Sequence, residues 1–209
     1  MSSVSAGPPG KKGYHHGALH SALIEASIAL AREGGPDRVV LREAARAAGV
    51  SHSAAYRHFA DREALLAEVS SYARDELAAQ MRRRVDRTND PRKRLRAVGT
   101  AYIDFAISEP GLFRTAFTSH PATSGGAEHG RATTGRDPFE VLGQVLDEAQ
   151  AAGLLDARRR PGAEIAAWSA VHGLASLLLD GPLPRSPAAV RFARAQVFDL
   201  IERGLLNDT

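Results

Sequence analysis

The chain has 209 residues, 44% of them hydrophobic and 24% charged, and a formal net charge of +3. The apolar content is enough to bury a core, and the charge is too small for a general polyanion binder. There is no cysteine, which excludes disulfides, thiolate nucleophiles and cysteine-ligated metal.

The opening stretch, M-S-S-V-S-A-G-P-P-G-K-K-G, is rich in Gly, Pro and Ser and has no apolar signal-peptide run. A disordered tail is expected over 1–13; Lys11 and Lys12 read either as a short minor-groove arm or as part of a plain solvated tail. The next predicted element is a helix from about Gly17 to Glu33. Leu19, Leu23, Ser27 and Leu30 fall on one of its faces, with Ile24 and Ile28 beside them. Gly34-Gly35-Pro36 ends it. Through Asp61 the chain holds seven Lys/Arg against five Asp/Glu, and five of its eight histidines. This region is therefore mildly basic rather than a strong electrostatic patch.

Residues 41–59, L-R-E-A-A-R-A-A-G-V-S-H-S-A-A-Y-R-H-F, predict two short helices around a glycine turn. In the first, Leu41 to Ala48, the residues Leu41, Ala44, Ala45 and Ala48 make one small apolar face. Arg42, Glu43 and Arg46 lie off that face. Gly49 supplies the left-handed residue that ends a helix, and Val50 is placed to plug the space between the two helices. Ser51 has the hydroxyl to cap the second helix. That helix, His52 to His58, buries Ala55 and leads to Phe59. His52, Ser53, Tyr56 and Arg57 remain outside.

This is the plan of a DNA-binding helix-turn-helix. Arg57 has the paired donors that match a guanine edge, and Ser53 bonds to several bases. Tyr56, His58 and the N-terminal N–H groups suit phosphate oxygens. Arg42 and Ser51 complete the DNA-facing set. His52 and His58 give this face a charge that depends on pH, so protonation should strengthen phosphate binding.

Beyond Asp61, which is expected to cap the next helix, helices are predicted at about 62–85, 91–107, 109–119, 137–152, 162–180 and 188–206. Pro91, Pro110, Pro138, Pro161 and Pro187 fall near helix starts, where the missing N–H is harmless. No stretch alternates for long like a strand. The expected fold is all-α: a three-helix DNA-binding domain over 14–61 and a larger helical ligand-binding and dimerisation domain over 62–209. Arg82 to Arg96 carries eight basic and two acidic residues and reads as a solvated face. Ser119 to Asp137 has few large apolar residues and reads as a loop, either beside a ligand entrance or simply disordered.

Tyr102, Phe105, Phe113, Phe117, Phe139, Leu142, Trp168 and His172 are candidates to line an apolar cavity for a small organic ligand; the plainer reading is that they fill core. Ala166, Ala170, Gly173 and Leu177 make one close-packing strip. Ala193, Val197, Leu200, Ile201 and Gly204 make another. The longest apolar stretch, Ile165 to Leu179, falls short of the ~20 residues that span a bilayer. A cytoplasmic protein with no membrane partner is expected. His15, His16 and His20 lack a carboxylate or cysteine at metal-binding spacing. No phosphate-binding glycine loop, nucleophile elbow or paired-carboxylate motif is present. Neither catalytic residues nor a cofactor or metal is expected.

The run from Tyr14 to Leu66 resembles the N-terminal domain of the TetR family of bacterial transcriptional regulators. V-V-L-R-E-A-A-R-A-A-G-V-S is similar to the family's approach to its second helix. S-A-A-Y-R-H-F-A-D-R-E-A-L-L is similar to its recognition helix and the start of its long fourth helix. Tyr56, His58 and Phe59 take the family's aromatic, histidine and phenylalanine positions. The resemblance implies that Arg62 contacts phosphate, and that Ala64, Leu65 and Leu66 enter the core. Val40 departs from the pattern, standing where relatives often have a capping Ser or Thr. Losing such a cap costs about 1 kcal/mol and removes the phosphate contact of that hydroxyl.

Further along, Y-H-H-G-A-L and A-A-W-S-A-V-H-G-L-A-S-L, with Trp168, His172 and Gly173, resemble a WHG-type C-terminal domain. The family likeness implies a homodimer in which the last two helices of each subunit form a four-helix bundle. Two recognition helices would then reach successive major grooves ~34–36 Å apart on a near-palindromic operator. The function implied is a ligand-responsive repressor. The alternative is a helical small-molecule-binding or interaction protein without operator binding.

Overall fold

The computed structural model describes residues 12–118 and 137–207, with side chains from residue 17 onward. The expected tail, apart from 12 and 13, and nearly all of the 119–137 loop lie outside these residues. Within them the chain runs α1 (Lys12–Gly34), a single 3₁₀ turn (Pro36–Arg38), α2 (Leu41–Ala47), α3 (His52–Ala55), α4 (Arg62–Val85), α5 (Pro91–Ser108), α6 (Pro110–Ala116), α7 (Pro138–Ala151), α8 (Ala163–Leu179) and α9 (Pro187–Leu205). The only β pairing among the described residues is an isolated bridge between Leu155 and Leu206. The all-α expectation holds.

Local chemistry sets most of the boundaries. Pro91, Pro110, Pro138 and Pro187 each open a helix, at the position where a missing N–H leaves no bond unmade. Pro161 instead lies two residues ahead of α8, which follows the left-handed Gly162. Asp61 accepts the Ala64 N–H at 2.8 Å and so caps α4. Asp137 accepts the Phe139 N–H at 2.7 Å at the start of α7, and Ser186 caps α9. Three boundaries differ from the sequence reading. Helix α1 is already helical at Lys12 rather than Gly17. Helix α6 stops at Ala116, where Phe117 leaves helical geometry and the Ala116 carbonyl is captured by Ser70 and Arg74 of α4. The second helix of the helix-turn-helix ends at Ala55.

Helix α4 is the spine, packing on α1, α5, α6 and α7. Leu65, Leu66, Val69, Ala73 and Leu77 form its buried stripe. Ala64 does not join them; it is exposed, one position off the stripe. Helix α5 packs on α4, α7 and α8, and α8 packs on α9. The N-terminal unit meets the helical domain where α1 crosses α6. At Gly111 the two backbones come so close that an added Cβ would lie 2.1 Å from the Ala31 carbonyl oxygen. Arg32 Nε, one turn from the end of α1, reaches Glu109 at 3.3 Å. Ser70 and Arg74 hold the far end of α6. The short helix is thus clamped at one end to the reading unit and at the other to the spine.

Candidate functional site

The helix-turn-helix is built from small residues. Leu41, Ala44 and Ala45 of α2 are buried against Ala55 of α3. Val40 precedes α2 with no side-chain cap, as its aliphatic side chain requires. Gly49 turns the chain at φ +70°, and Ser51 accepts the Ala54 N–H at 3.2 Å. Val50 is half-buried against the core. After Ala55 the N–H groups of Arg57 and His58 bond three residues back, to Ala54 and Ala55. The coil therefore tightens as Phe59 is drawn into the core at 2% exposure. That is why α3 ends earlier than the expected His58.

The outward face is Ser51, His52, Ser53, Tyr56 and Arg57, all exposed, with Arg42 exposed on α2. Tyr56 is 50% exposed, and its ring meets His52 edge-to-face at 4.7 Å. Ser53 Oγ lies 3.2 Å from Ser51 Oγ. His58 is half-buried, with its ring 6.1 Å from that of His20. His20 in turn stacks on Phe59 and bonds to Glu68. Arg62 is placed differently from the sequence expectation. Its Nε donates to the Val39 carbonyl at 2.8 Å and its Nη2 to the Pro36 carbonyl at 2.7 Å. The guanidinium ties down the α1–α2 connection through its Nε–H and one Nη2–H.

A second site lies in the helical domain: a pocket with an interior of about 30 Å³, open in part to solvent. Its walls come from α4 (Met81), α5 (Leu95 to Tyr102), α7 (Leu142), α8 (Ala167, Trp168, Val171) and α9 (Phe198, Ile201, Glu202). Of the eight expected ligand residues, Tyr102, Leu142 and Trp168 line it. Phe113, Phe117, Phe139 and His172 belong instead to a ring cluster with Tyr102 and Trp168. Tyr102 meets Trp168 edge-to-face at 5.0 Å and Phe113 at 5.4 Å. Phe117 and Phe139 each lie 5.7 Å from Trp168, and His172 stacks on Phe113. Phe105 is buried in the core; the α5 lining stops at Tyr102, one turn short of it.

Inside the cluster Tyr102 Oη and His172 Nδ1 are 2.7 Å apart. Burial raises the Tyr102 phenol well above its ordinary range and lowers His172 below its own. The pair is thus a neutral phenol and a neutral imidazole, with the phenol, the stronger acid, assigned as donor. The sequence reading missed the other ten lining residues, among them Met81, Arg96, Gly99, Phe198 and Glu202. Gly99 alone carried a visible signal, a glycine inside a helical pattern: a Cβ there would meet the Phe198 ring at 2.7 Å. Of the expected packing strips, Ile201 is buried within the subunit, whereas Leu177 and Leu200 are exposed.

A capped helix-turn-helix with a polar outer face, joined to a larger helical domain with its own pocket, defines the class of DNA-binding regulators. Residues 23–69 match the family model "Bacterial regulatory proteins, tetR family". Residues 95–200, half of the chain, match "Tetracyclin repressor-like, C-terminal domain". The chain belongs to the TetR family of transcription regulators, with its DNA-binding domain at the N-terminus and no enzymatic role. Solved structures agree. A protein of unknown function from Rhodococcus sp. RHA1 is 30% identical, with 94% of this chain and 100% of that one aligned at a TM-score of 0.72. PfmR, a TetR family regulator from Thermus thermophilus, is 25% identical over 87% of this chain and 97% of its own, at a TM-score of 0.58. RolR in complex with resorcinol is 15% identical over 92% and 95%, at a TM-score of 0.64, a likeness of fold. No curated protein matches the chain. Among the described residues no helix is long and apolar enough to cross a membrane.

Proposed function

We propose that the chain is a ligand-responsive repressor that binds a near-palindromic operator as a homodimer. In this reading α3 enters the major groove, where Arg57 meets a guanine edge and Ser53 meets neighbouring bases. Tyr56, His52, His58, Ser51 and Arg42 face phosphates. The observation that carries the reading is a firmly anchored helix-turn-helix that leaves an outward guanidinium unspent. Arg57 is exposed and has no hydrogen bond or ion pair from its side chain among the described residues.

Support for the dimer comes from α8 and α9, where Ile165, Leu177, Phe192 and Leu200 stay exposed. Large apolar side chains grouped on one pair of helices mark an interaction surface. A second copy would cover them and set two reading heads at operator spacing. The pocket supports a small organic ligand, and RolR, of the same fold, holds resorcinol. Ligand would favour a state with the heads splayed and DNA released. It shifts that balance only by its differential affinity for the two states.

The test is binding of the purified protein to the DNA upstream of its own gene, with the Tyr56→Ala/Arg57→Ala variant as control. Tight, salt-sensitive, sequence-selective binding that the variant loses is the expected result. Absence of selective binding, both there and in a selection from random DNA, would refute the reading.

A further inference from the structure

The polar end of the pocket is already paired with itself. Arg96 and Glu202 are the charged residues of its lining, and they face each other across α5 and α9. Arg96 Nη2 donates to Glu202 Oε2 at 2.8 Å, while Nε donates to Oε1 of the same carboxylate. Glu202 is held at 11% side-chain exposure against 49% for Arg96, with Arg92 Nη1 a further 3.8 Å from Oε2. Asp199, one turn earlier on α9, adds negative charge near Arg96. The rest of the lining is apolar except for Tyr102, whose proton is committed to His172 while its oxygen can still accept.

We propose that the Arg96–Glu202 pair sets the charge selectivity of this pocket, restricting it to uncharged, largely apolar ring compounds with at most a hydroxyl-sized polar group. The inference rests on the reading of the pocket as a ligand site. Desolvating an ionised ligand in an apolar cavity is costly unless a partner of opposite charge is free to meet it. Neither charge here is free. A ligand carboxylate would find the Nε–H and one Nη2–H of Arg96 already given to Glu202 and would face that carboxylate. A ligand ammonium would find Glu202 occupied by a bidentate guanidinium and would face Arg96. A neutral hydroxyl incurs neither penalty, and the Tyr102 oxygen can accept its proton. Glu202 and Arg96 are then specificity-determining residues that act by neutralising each other.

The chain supplies its own reporter, since Trp168 is its single tryptophan and lines the pocket. The experiment titrates full-length protein with three matched para-substituted probes: tert-butylbenzyl alcohol, tert-butylbenzoate and tert-butylbenzylammonium. Binding is read by Trp168 fluorescence and calorimetry at neutral pH. The alcohol is expected to bind at least about tenfold more tightly than either ion. Glu202→Gln, which releases Arg96, should shift the preference toward the benzoate. Arg96→Met, which leaves Glu202 with only the more distant Arg92, should shift it toward the ammonium. Thermal melts establish that both variants fold; should either not, the wild-type series decides alone.

An ion that binds the wild type as tightly as the alcohol overturns the proposal. So does a wild type that binds none of the three, or a pair of folded variants with unchanged preferences. Operator affinity is measured separately with the alcohol present. Alcohol binding that leaves operator affinity unchanged upholds the charge rule and counts instead against the repressor reading.

Discussion

Replacing Gly111 with alanine tests how tightly the reading unit is joined to the helical domain. The new Cβ would lie 2.1 Å from the Ala31 carbonyl oxygen and 2.7 Å from that of Arg32. Carbon–oxygen contacts of this kind settle at about 3.3 Å or more, so α1 and α6 must part by about 1 Å. Both obstacles are backbone, and no side chain can rotate out of the way. Overpacking of this severity costs about 3 kcal/mol. Alanine's better helix propensity returns about 1 kcal/mol. The net loss is about 2 kcal/mol, which in a chain of this size lowers Tm by about 4–8 °C. The assay is a thermal melt at fixed protein concentration, since assembly also moves Tm. Gly17→Ala serves as control, because a Cβ there meets nothing within 4 Å. Gly111→Ala should also weaken operator binding, because parting the helices re-aims the reading unit. A Tm within about 1 °C of wild type, with operator affinity unchanged, would show that the crossing is not close and would refute the reasoning.

Arg62→Ala removes two guanidinium–carbonyl bonds and is expected to cost about 2 kcal/mol or more in urea melts. Its operator binding should keep the wild-type dependence on salt, whereas losing a phosphate contact would reduce that slope by about one. His172 is held below its ordinary range by burial, so the folded chain disfavours its imidazolium. Stability is therefore full above the free-histidine range. It declines as pH falls through that range toward the lowered folded value, because the unfolded chain takes up the proton first. Melts between about pH 8 and about pH 5 should show this decline, and His172→Asn, which keeps an acceptor near the Nδ1 position, should flatten it.

What could be read from the sequence was what short-range chemistry decides. Gly49, Ser51, Asp61 and the four helix-opening prolines act on their own next few residues, and each sits where the pattern placed it. The shortened α3 shows the limit of that logic. Apolar spacing cannot distinguish bonds three residues back from bonds four back, and those bonds end the helix at Ala55. Arg62 was harder to read because its partners lie 23 and 26 residues earlier. The pocket was harder still. Arg96 and Glu202 are 106 residues apart, and no local spacing announces their meeting. Aromatic residues were a fair guide to the neighbourhood of the cavity, since Tyr102 and Trp168 stand in its wall. They could not separate that wall from the ring cluster beside it, because both use the same residues at the same helical spacing.

Helix α9 has two working faces. Phe198 and Ile201 are turned inward to the pocket, while Phe192 and Leu200 on the same 19 residues stay 68% and 64% exposed. In the proposed assembly Phe192 and Leu200 would also answer to a second subunit. Drift along this helix would then be policed from both sides, since a change that reshapes the cavity also disturbs the seam between subunits. Divergence in ligand taste among descendants of this chain would accumulate on the walls that answer to one constraint only, such as Met81 of α4 and Leu142 of α7, while α9 changed slowly.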